Sequence, residues 1–599
     1  MLVKDLRALR VKDLRALRVK SVTNSRPSFG SYEKLMNQIN SFFPVFALSI
    51  PLLGIALILW VTKRGPQSAT GAGCATGTSC INLLTALITL LTFLVIAAMY
   101  PAIKAGKILA GSFTVFKAPT PGFPTVLFSL RVDALGFYIG LIAVVIWMFS
   151  SFFAIEFMRK KQSQIRYDIF SLLTLVGMLG VVFSGDLFTL YFFFELLSVA
   201  SLVLVIHEQT PAAMRGGVIY IFMGICGGLI LLMSILLTYS LTGSIDLAVV
   251  GLGLKGSKWL PLIFWGYVLG FGVKAGIFPL HYWMPSAYPE TPTCAVALSS
   301  GVMIKAGAYG ITRTIYSIIG LDALRGSALV PILLGMALFS IFIGSAAAIN
   351  QKDIKKLLGY SSVSQIGYII LGLTLLSPLG LTAGILHMFN HAIIKVALFL
   401  CAGVFIHYTG SGHLDDLKGI GKRMPLMTAC FTMAALSMIG LPPFNGFISK
   451  WFLALGALEA VKVGSYSLWV GILAVGTLIL SSFMNLIYYG PIIYNAWFGT
   501  EEEAPEGSSE GNGWDSVRYG LQDPEPALVS EKQGFRDLGV RDLGKTASND
   551  PLQPKPLSLP LSPYMMIPVL LLALGTVVFG IFPGFPLALA QQISQFYFH

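Results

Sequence analysis

The chain has 599 residues, of which 55% are hydrophobic and only 12% charged, and its mean hydropathy is +0.76. Soluble globular proteins carry about a quarter charged residues, so this balance argues against a water-soluble enzyme. Apolar runs longer than about 18 residues lack the period-two alternation of barrel strands, which leaves an all-α polytopic membrane protein as the fold class.

The first 42 residues are a basic tail, with Val3–Arg10 repeated in tandem at 11–18. No apolar core follows directly, so the tail does not read as a signal peptide. It is expected to be an extension, or translation starts downstream at Met36. Fourteen membrane segments are expected at about 43–63, 81–100, 133–157, 169–185, 187–206, 216–241, 258–278, 292–317, 328–350, 358–377, 380–408, 426–456, 467–490 and 563–588. The chain thus divides into the tail, a 43–132 unit of two helices and an external hairpin at 101–132, and a 133–490 membrane core. A 491–562 insert and a last helix with its C-terminus at 563–599 complete it. The insert opens its acidic part with Glu501-Glu502-Glu503 and repeats Arg-Asp-Leu-Gly at 536–539 and 541–544. Its Gly, Pro, Ser and acid content cannot bury enough apolar surface to fold alone, so it reads as a flexible cytoplasmic linker.

The net charge of +13 sits in tails and loops, and gives no reason to invoke nucleic acid. Clusters at Arg159-Lys160-Lys161, at Lys352, Lys355 and Lys356, and at Lys422-Arg423 place the loops after odd-numbered segments in the cytoplasm. A multi-pass protein of a prokaryotic-type inner membrane is expected. Six cysteines include no Cys-x-x-Cys pair, which argues against iron–sulfur or zinc ligation. Cys74 and Cys80 are expected to share a loop.

Only 13 of 28 acids belong to the membrane body, and nearly all stand at segment ends. Glu195 is different, in the middle of the fifth segment within Leu190-Tyr-Phe-Phe-Phe-Glu-Leu-Leu-Ser198. An isolated carboxylate there must be neutral or paired, and intramembrane acids are functional by default. Asp186, at the start of that segment, reads as a helix cap. Four lysines fall inside apolar segments: Lys274, Lys305, Lys395 and Lys450. On insertion-type scales they cost about 10 kcal/mol together, an expense that a merely structural role does not explain.

Two segments carry internal breakers. The seventh holds Gly270 and Gly272 just before Lys274, and the twelfth holds Leu441-Pro442-Pro443 before Lys450. Interruptions five segments apart, each followed by a lysine, point to a duplicated five-helix unit of the kind that marks ion-handling regions. His387, His391 and Lys395 recur every four residues and so share one helical face. Zinc would need a third ligand there. A proton relay suits histidine, which titrates near neutral pH.

These residues lie in longer motifs. Gly272-Val-Lys-Ala-Gly-Ile-Phe-Pro-Leu-His-Tyr-Trp-Met-Pro285, Pro289-Glu-Thr-Pro292, Ser300-Gly-Val-Met-Ile-Lys305, Tyr360-Ser-Ser-Val-Ser-Gln-Ile-Gly367 and Leu441-Pro-Pro-Phe-Asn-Gly446 resemble the antiporter-like subunits of respiratory complex I. The same pattern recurs in Mrp-type sodium/proton antiporters and membrane-bound hydrogenase complexes. The resemblance covers about 133–490. It implies two inverted five-helix repeats, broken helices 7 and 12, and proton translocation along a buried polar axis. On this sequence it implies that Glu195 and Lys274 form a coupling pair. Lys305, His387, His391 and Lys395 would form the central relay, and Lys450 would face the exit. The eighth segment resembles hydrogenase-linked and Mrp D-like chains. Lysine at 450 differs from the glutamate of M-type complex I chains, and no long apolar extension follows segment 14 as in L-type chains.

The resulting expectation is a proton-translocating subunit of a redox-driven complex, with a Mrp-type Na+/H+ antiporter subunit or a non-pumping scaffold as alternatives. No electron-transfer motif is present, so iron–sulfur, flavin or nickel–iron centres are expected only in partner subunits. Further membrane chains, a peripheral redox arm, H+ and, in the alternative, Na+ are the expected partners.

Overall fold

The computed structural model describes residues 38–64, 74–116, 126–159, 163–248, 250, 254–500 and 562–598. The octapeptide tail and the acidic part of the insert lie outside the described residues. Sixteen helices organise the rest: α1 (Phe43–Arg64), α2 (Cys74–Ala97), α3 (Ala134–Phe157), α4 (Gln164–Val182), α5 (Leu187–Val205), α6 (Pro211–Thr242), α7 (Leu260–Ala275), α8 (Thr293–Ile318), α9 (Leu329–Ile349), α10 (Ile354–Thr374), α11 (Pro378–Thr409), α12 (Pro425–Ile439), α13 (Asn445–Lys462), α14 (Leu468–Phe498), α15 (Pro563–Ile581) and α16 (Gly584–Phe598). Among the described residues, twelve helices are long and apolar enough to cross a bilayer, and α7 and α12 are shorter apolar helices. The protein is a multi-pass membrane protein.

The 101–132 hairpin is present and adds a small sheet to an otherwise helical fold. β1 (Gln38–Asn40) runs parallel to β2 (Ile108–Phe116), which pairs antiparallel with β3 (Val126–Val132).

The duplication is visible in atomic detail. α6 and α11 are both 32 residues long, begin at proline, end at threonine and stop at a glycine of positive φ, Gly243 and Gly410. After each stop the threonine hydroxyl donates to a serine carbonyl at 3.0 Å, Thr242 to Ser244 and Thr409 to Ser411. The next residues then bridge back to the helix-capping aspartates, Asp246 to Asp186 and His413 to Asp353. Each unit contributes five apolar segments, α4 to α8 and then α9 to α14 with α12 and α13 as one interrupted segment. An odd number of crossings sends the second unit through the membrane in the opposite sense.

Several boundaries differ from the sequence expectation. The seventh segment does not break at Gly270 and Gly272. α7 runs through both, and Gly270 instead admits the backbone of Gly227 and the side chain of Leu231 on α6, where a Cβ would clash. Small residues in membrane helices serve close packing as often as interruption. The break comes at Gly276, φ +72°, so Lys274 precedes it, in the last turn of α7. In the second unit the break starts at Gly440, φ +95°, and Lys450 does follow it. Both glycines hold a left-handed conformation that a side chain disfavours, and each stands three residues before a proline, Pro279 and Pro443.

The expected end of segment 13 at 490 is also corrected. α14 continues through Pro491 to Phe498, since a membrane helix can re-satisfy the groups a proline frees. Segment 14 instead ends early, at Ile581, because Pro583 disfavours helix at Phe582. The chain restarts as α16, which packs on α11. Cys74 and Cys80 lie in the first turns of α2 rather than in a loop.

The centre of the bundle is built from α8, α10 and α11, which are buried along almost their whole length. One buried ion pair ties this centre to α3. Arg313 of α8 donates to both oxygens of Asp133, the α3 cap, at 2.6 and 2.7 Å, and also to Tyr309 and Tyr597. The Arg313 side chain is only 6% exposed. Arg313→Met should therefore lower stability by about 3–5 kcal/mol, because Asp133 is left as a buried charge without a partner. Thermal unfolding of the detergent-solubilised protein measures this, and an unchanged midpoint refutes it.

Candidate functional site

Glu195 lies on the flank of α5 and is half-buried, between the exposed Phe192 and Val199. It therefore stands at the edge of the molecule rather than in its middle. Its carboxyl fills the space left by Gly228 of α6, where a side chain would collide with it. The Oε1 atom has no hydrogen-bond partner among the described residues. Glu195 makes no direct ion pair with Lys274 among the described residues, so any coupling between them acts through space.

Lys274 is held instead by neutral hydroxyls that its sequence motif did not announce. Its Nζ donates to Tyr220 Oη at 2.5 Å and lies 3.3 Å from Ser201 Oγ, and those two oxygens are 2.5 Å apart. Tyr220 packs edge-on against Trp283, 5.0 Å between ring centres, and Trp283 against Tyr288 at 5.8 Å. Tyr288 Oη is 3.2 Å from Ser299 Oγ, which carries the polar file to the foot of α8.

Residues Ser299–Met303 form a π turn, a local widening often found at functional sites. Lys305 follows it directly, and its Nζ donates to the Ser300 carbonyl at 2.8 Å. Ser300 Oγ is 2.8 Å from Ser362 Oγ of α10, and Ser362 donates to the Leu358 carbonyl at 2.8 Å. The same carbonyl accepts from Lys395 Nζ at 2.9 Å. One carbonyl and two serines therefore join Lys305 to Lys395.

The predicted face of α11 is real. The His387 and His391 rings stack 6.1 Å apart and 11° from parallel. His387 bridges two helices, 2.9 Å from Ser449 Oγ and 3.0 Å from Gln365 Oε1. Both ring nitrogens of the buried His391 lack a hydrogen-bond partner among the described residues. Buried polar groups of this kind are satisfied by water. Among the described residues no three His, Cys, Asp or Glu side chains gather as a metal site would need.

Lys450 ends the file. Its Nζ donates to the carbonyls of Met438 and Ile439, both at 2.9 Å, and to Ser482 Oγ at 3.1 Å. These are the last carbonyls of α12, groups that a helix end leaves without intrahelical partners, so the break supplies the seat of the ammonium. The Met438 carbonyl also accepts from Asn485, which is tied through Tyr488 to Ser361 of α10.

All four lysines are buried, and none pairs with a carboxylate among the described residues. Asp186 does what its position predicts, capping α5 through the Thr189 amide at 2.8 Å and its hydroxyl at 2.7 Å.

Residues 184–484 match the family described as NADH:quinone oxidoreductase/Mrp antiporter, transmembrane. The chain belongs to that family. The antiporter-like subunit is 36% identical to the N subunit of the NADH-quinone oxidoreductase of Desulforudis audaxviator, over 69% of this chain and 74% of that one. It is 32% identical to the D subunit of the Na(+)/H(+) antiporter of Alkalihalophilus pseudofirmus, over 61% and 73%. The fold of the antiporter-like subunit matches a chain of the Mrp complex from a Dietzia species with a TM-score of 0.72 at 22% identity, over 93% and 97% of the two chains. Membrane partner subunits follow from this setting.

The antiporter-like subunit holds its axis with more residues than the sequence reading named. Ser201, Tyr220, Ser300, Ser362, Gln365 and Ser449 carry no charge, and a buried serine or tyrosine in an apolar segment gives no signal of its own. Ser300, Ser362 and Gln365 do lie in the quoted motifs, which is the clue the sequence offered.

Proposed function

We propose that the antiporter-like subunit carries protons across the membrane along the file Glu195, Lys274, Lys305, Lys395, His391, His387 and Lys450, as the pumping chain of a redox-driven complex. The observation that carries this reading is the set of four buried lysines held by neutral oxygens alone. An ammonium so held can lose its proton without breaking an ion pair, and the same oxygens remain as acceptors when the proton returns. Water at the unpartnered nitrogens of His391 links the lysine cluster to His387. Iron–sulfur, flavin or nickel–iron centres belong to partner subunits in this reading, since this chain offers hydroxyls, amines and imidazoles along its axis. Exchange of H+ for Na+ without redox chemistry is the alternative, and a passive scaffold is the third reading.

Lys305→Met and Lys395→Met each remove one member of the central pair. Both should stop proton uptake by vesicles containing the whole complex while the complex still assembles, because methionine fills the volume of a buried amine without its charge. Normal uptake in either assembled variant would leave the scaffold reading. Uptake that proceeds on a sodium gradient with no electron donor would favour the antiporter.

A further inference from the structure

A cavity of about 570 Å³ opens on the side of the bundle, away from the polar file. It is bounded by residues 137–149 of α3, by Phe389 and Ile393 of α11, by residues 571–579 of α15, and at one end by Tyr100. The lining is almost wholly apolar, and the exposed Leu571 marks its lateral mouth. The geometry points to a binding site for one acyl chain of an anionic phospholipid from the leaflet on the β-hairpin side.

Length and charge support this occupant. The twelve rises from Phe137 to Phe149 of α3, at about 1.5 Å each, give a slot about 18 Å long, a little more than half of the ~30 Å apolar core of a bilayer. One leaflet's acyl chain has that reach. At the Tyr100 end an aromatic collar closes the slot, with Tyr100 5.6 Å from Phe585 and 6.1 Å from Phe137 between ring centres. Aromatic side chains with a polar tip take this position at a membrane interface. Beyond the collar, Lys104 lies one turn from Tyr100 on the same short helix, and Lys107 follows; both are exposed. They can receive a lipid phosphate. The acid nearest in sequence to Phe137, Asp133, is already committed to Arg313.

The slot also has a place in the proposed relay. Phe389 and Ile393 alternate with His387, His391 and Lys395 along α11. An acyl chain in the slot closes the dry flank of that helix, so that water reaches the histidines only along the polar file.

The test is native mass spectrometry of the full chain, titrated in detergent with palmitoyl-oleoyl phosphatidylglycerol and separately with the matching phosphatidylcholine. Wild type should retain one tightly held lipid. Val145→Trp and Gly575→Phe each fill the slot from a different helix and should lose it, with melting temperature and gel-filtration volume confirming the fold. Lys104→Ser with Lys107→Ser should weaken phosphatidylglycerol about tenfold relative to phosphatidylcholine, as loss of two basic side chains at a lipid surface predicts. A photo-crosslinker at the exposed Leu571, at the mouth of the slot, should yield a lipid adduct from native membranes. Unchanged lipid retention in a folded slot-filling variant overturns the proposal. So does a polypeptide adduct at 571, which would assign the mouth to a partner subunit.

Discussion

Lys450→Arg is expected to assemble normally and to lose at least about tenfold in ion translocation, a change equivalent to about 1.4 kcal/mol or more in barrier. Lys450 donates to the Met438 and Ile439 carbonyls and to Ser482. A guanidinium can serve the same acceptors, but it keeps its proton at every relevant pH. The variant therefore preserves charge and seat and removes only exchange. Lys450→Ala should also abolish translocation, and it should cost about 1–3 kcal/mol of stability where an acceptor is left unsatisfied. Removal of this amine is not neutral to the fold, since the break at Gly440 relies on it to satisfy the end of α12. Lys450→Glu should retain part of the activity, because a carboxyl in this position can also exchange a proton. The measurement is proton or sodium uptake into vesicles holding the whole complex and driven by its redox substrate. Wild-type uptake by an assembled arginine variant would remove Lys450 from the pathway.

Glu195→Gln should impair pumping far more than Asp186→Asn. Asp186 caps α5, and asparagine caps about as well as aspartate, so that variant should stay near wild type. Glu195 stands by Gly228 with its Oε1 unpartnered. Glutamine removes the carboxylate's field from the neighbourhood of Lys274, an interaction that falls off with separation and dielectric. Since the two groups do not touch, the effect must act through the field, and a glutamine that fills the same space is the proper probe of it. The assay is the same vesicle uptake, with assembly checked in parallel. Equal losses in the two variants would show that Glu195 and Lys274 are not coupled.

The titratable members of the axis were legible in the sequence because charge is conspicuous in an apolar chain. Lys274, Lys305, Lys395 and Lys450 stood out against segments with almost no other ionisable residue, and the four-residue spacing on α11 placed His387, His391 and Lys395 on one face before any contact was seen. The hydroxyls and amides that hold them were not legible. Tyr220 and Ser201 look like any other polar residue of a membrane helix until a lysine of another helix is found beside them.

The sequence by itself determined that the chain crosses a membrane in helices, that it carries a duplicated unit, and that costly charges lie within it. Transfer free energy along a single segment decides such matters, and it depends only on local composition. Only the tertiary structure decided where the helices break and what each charge touches. Gly270 and Gly276 are the same residue type six positions apart. Packing of α6 against α7 makes the first a contact point, and the chain reversal at 276 makes the second a stop. In the same way, the packing of α8, α10 and α11 against one another joined Lys305 to Lys395 and set His387 against Gln365, because hydrogen bonds between helices exist only once the helices are assembled.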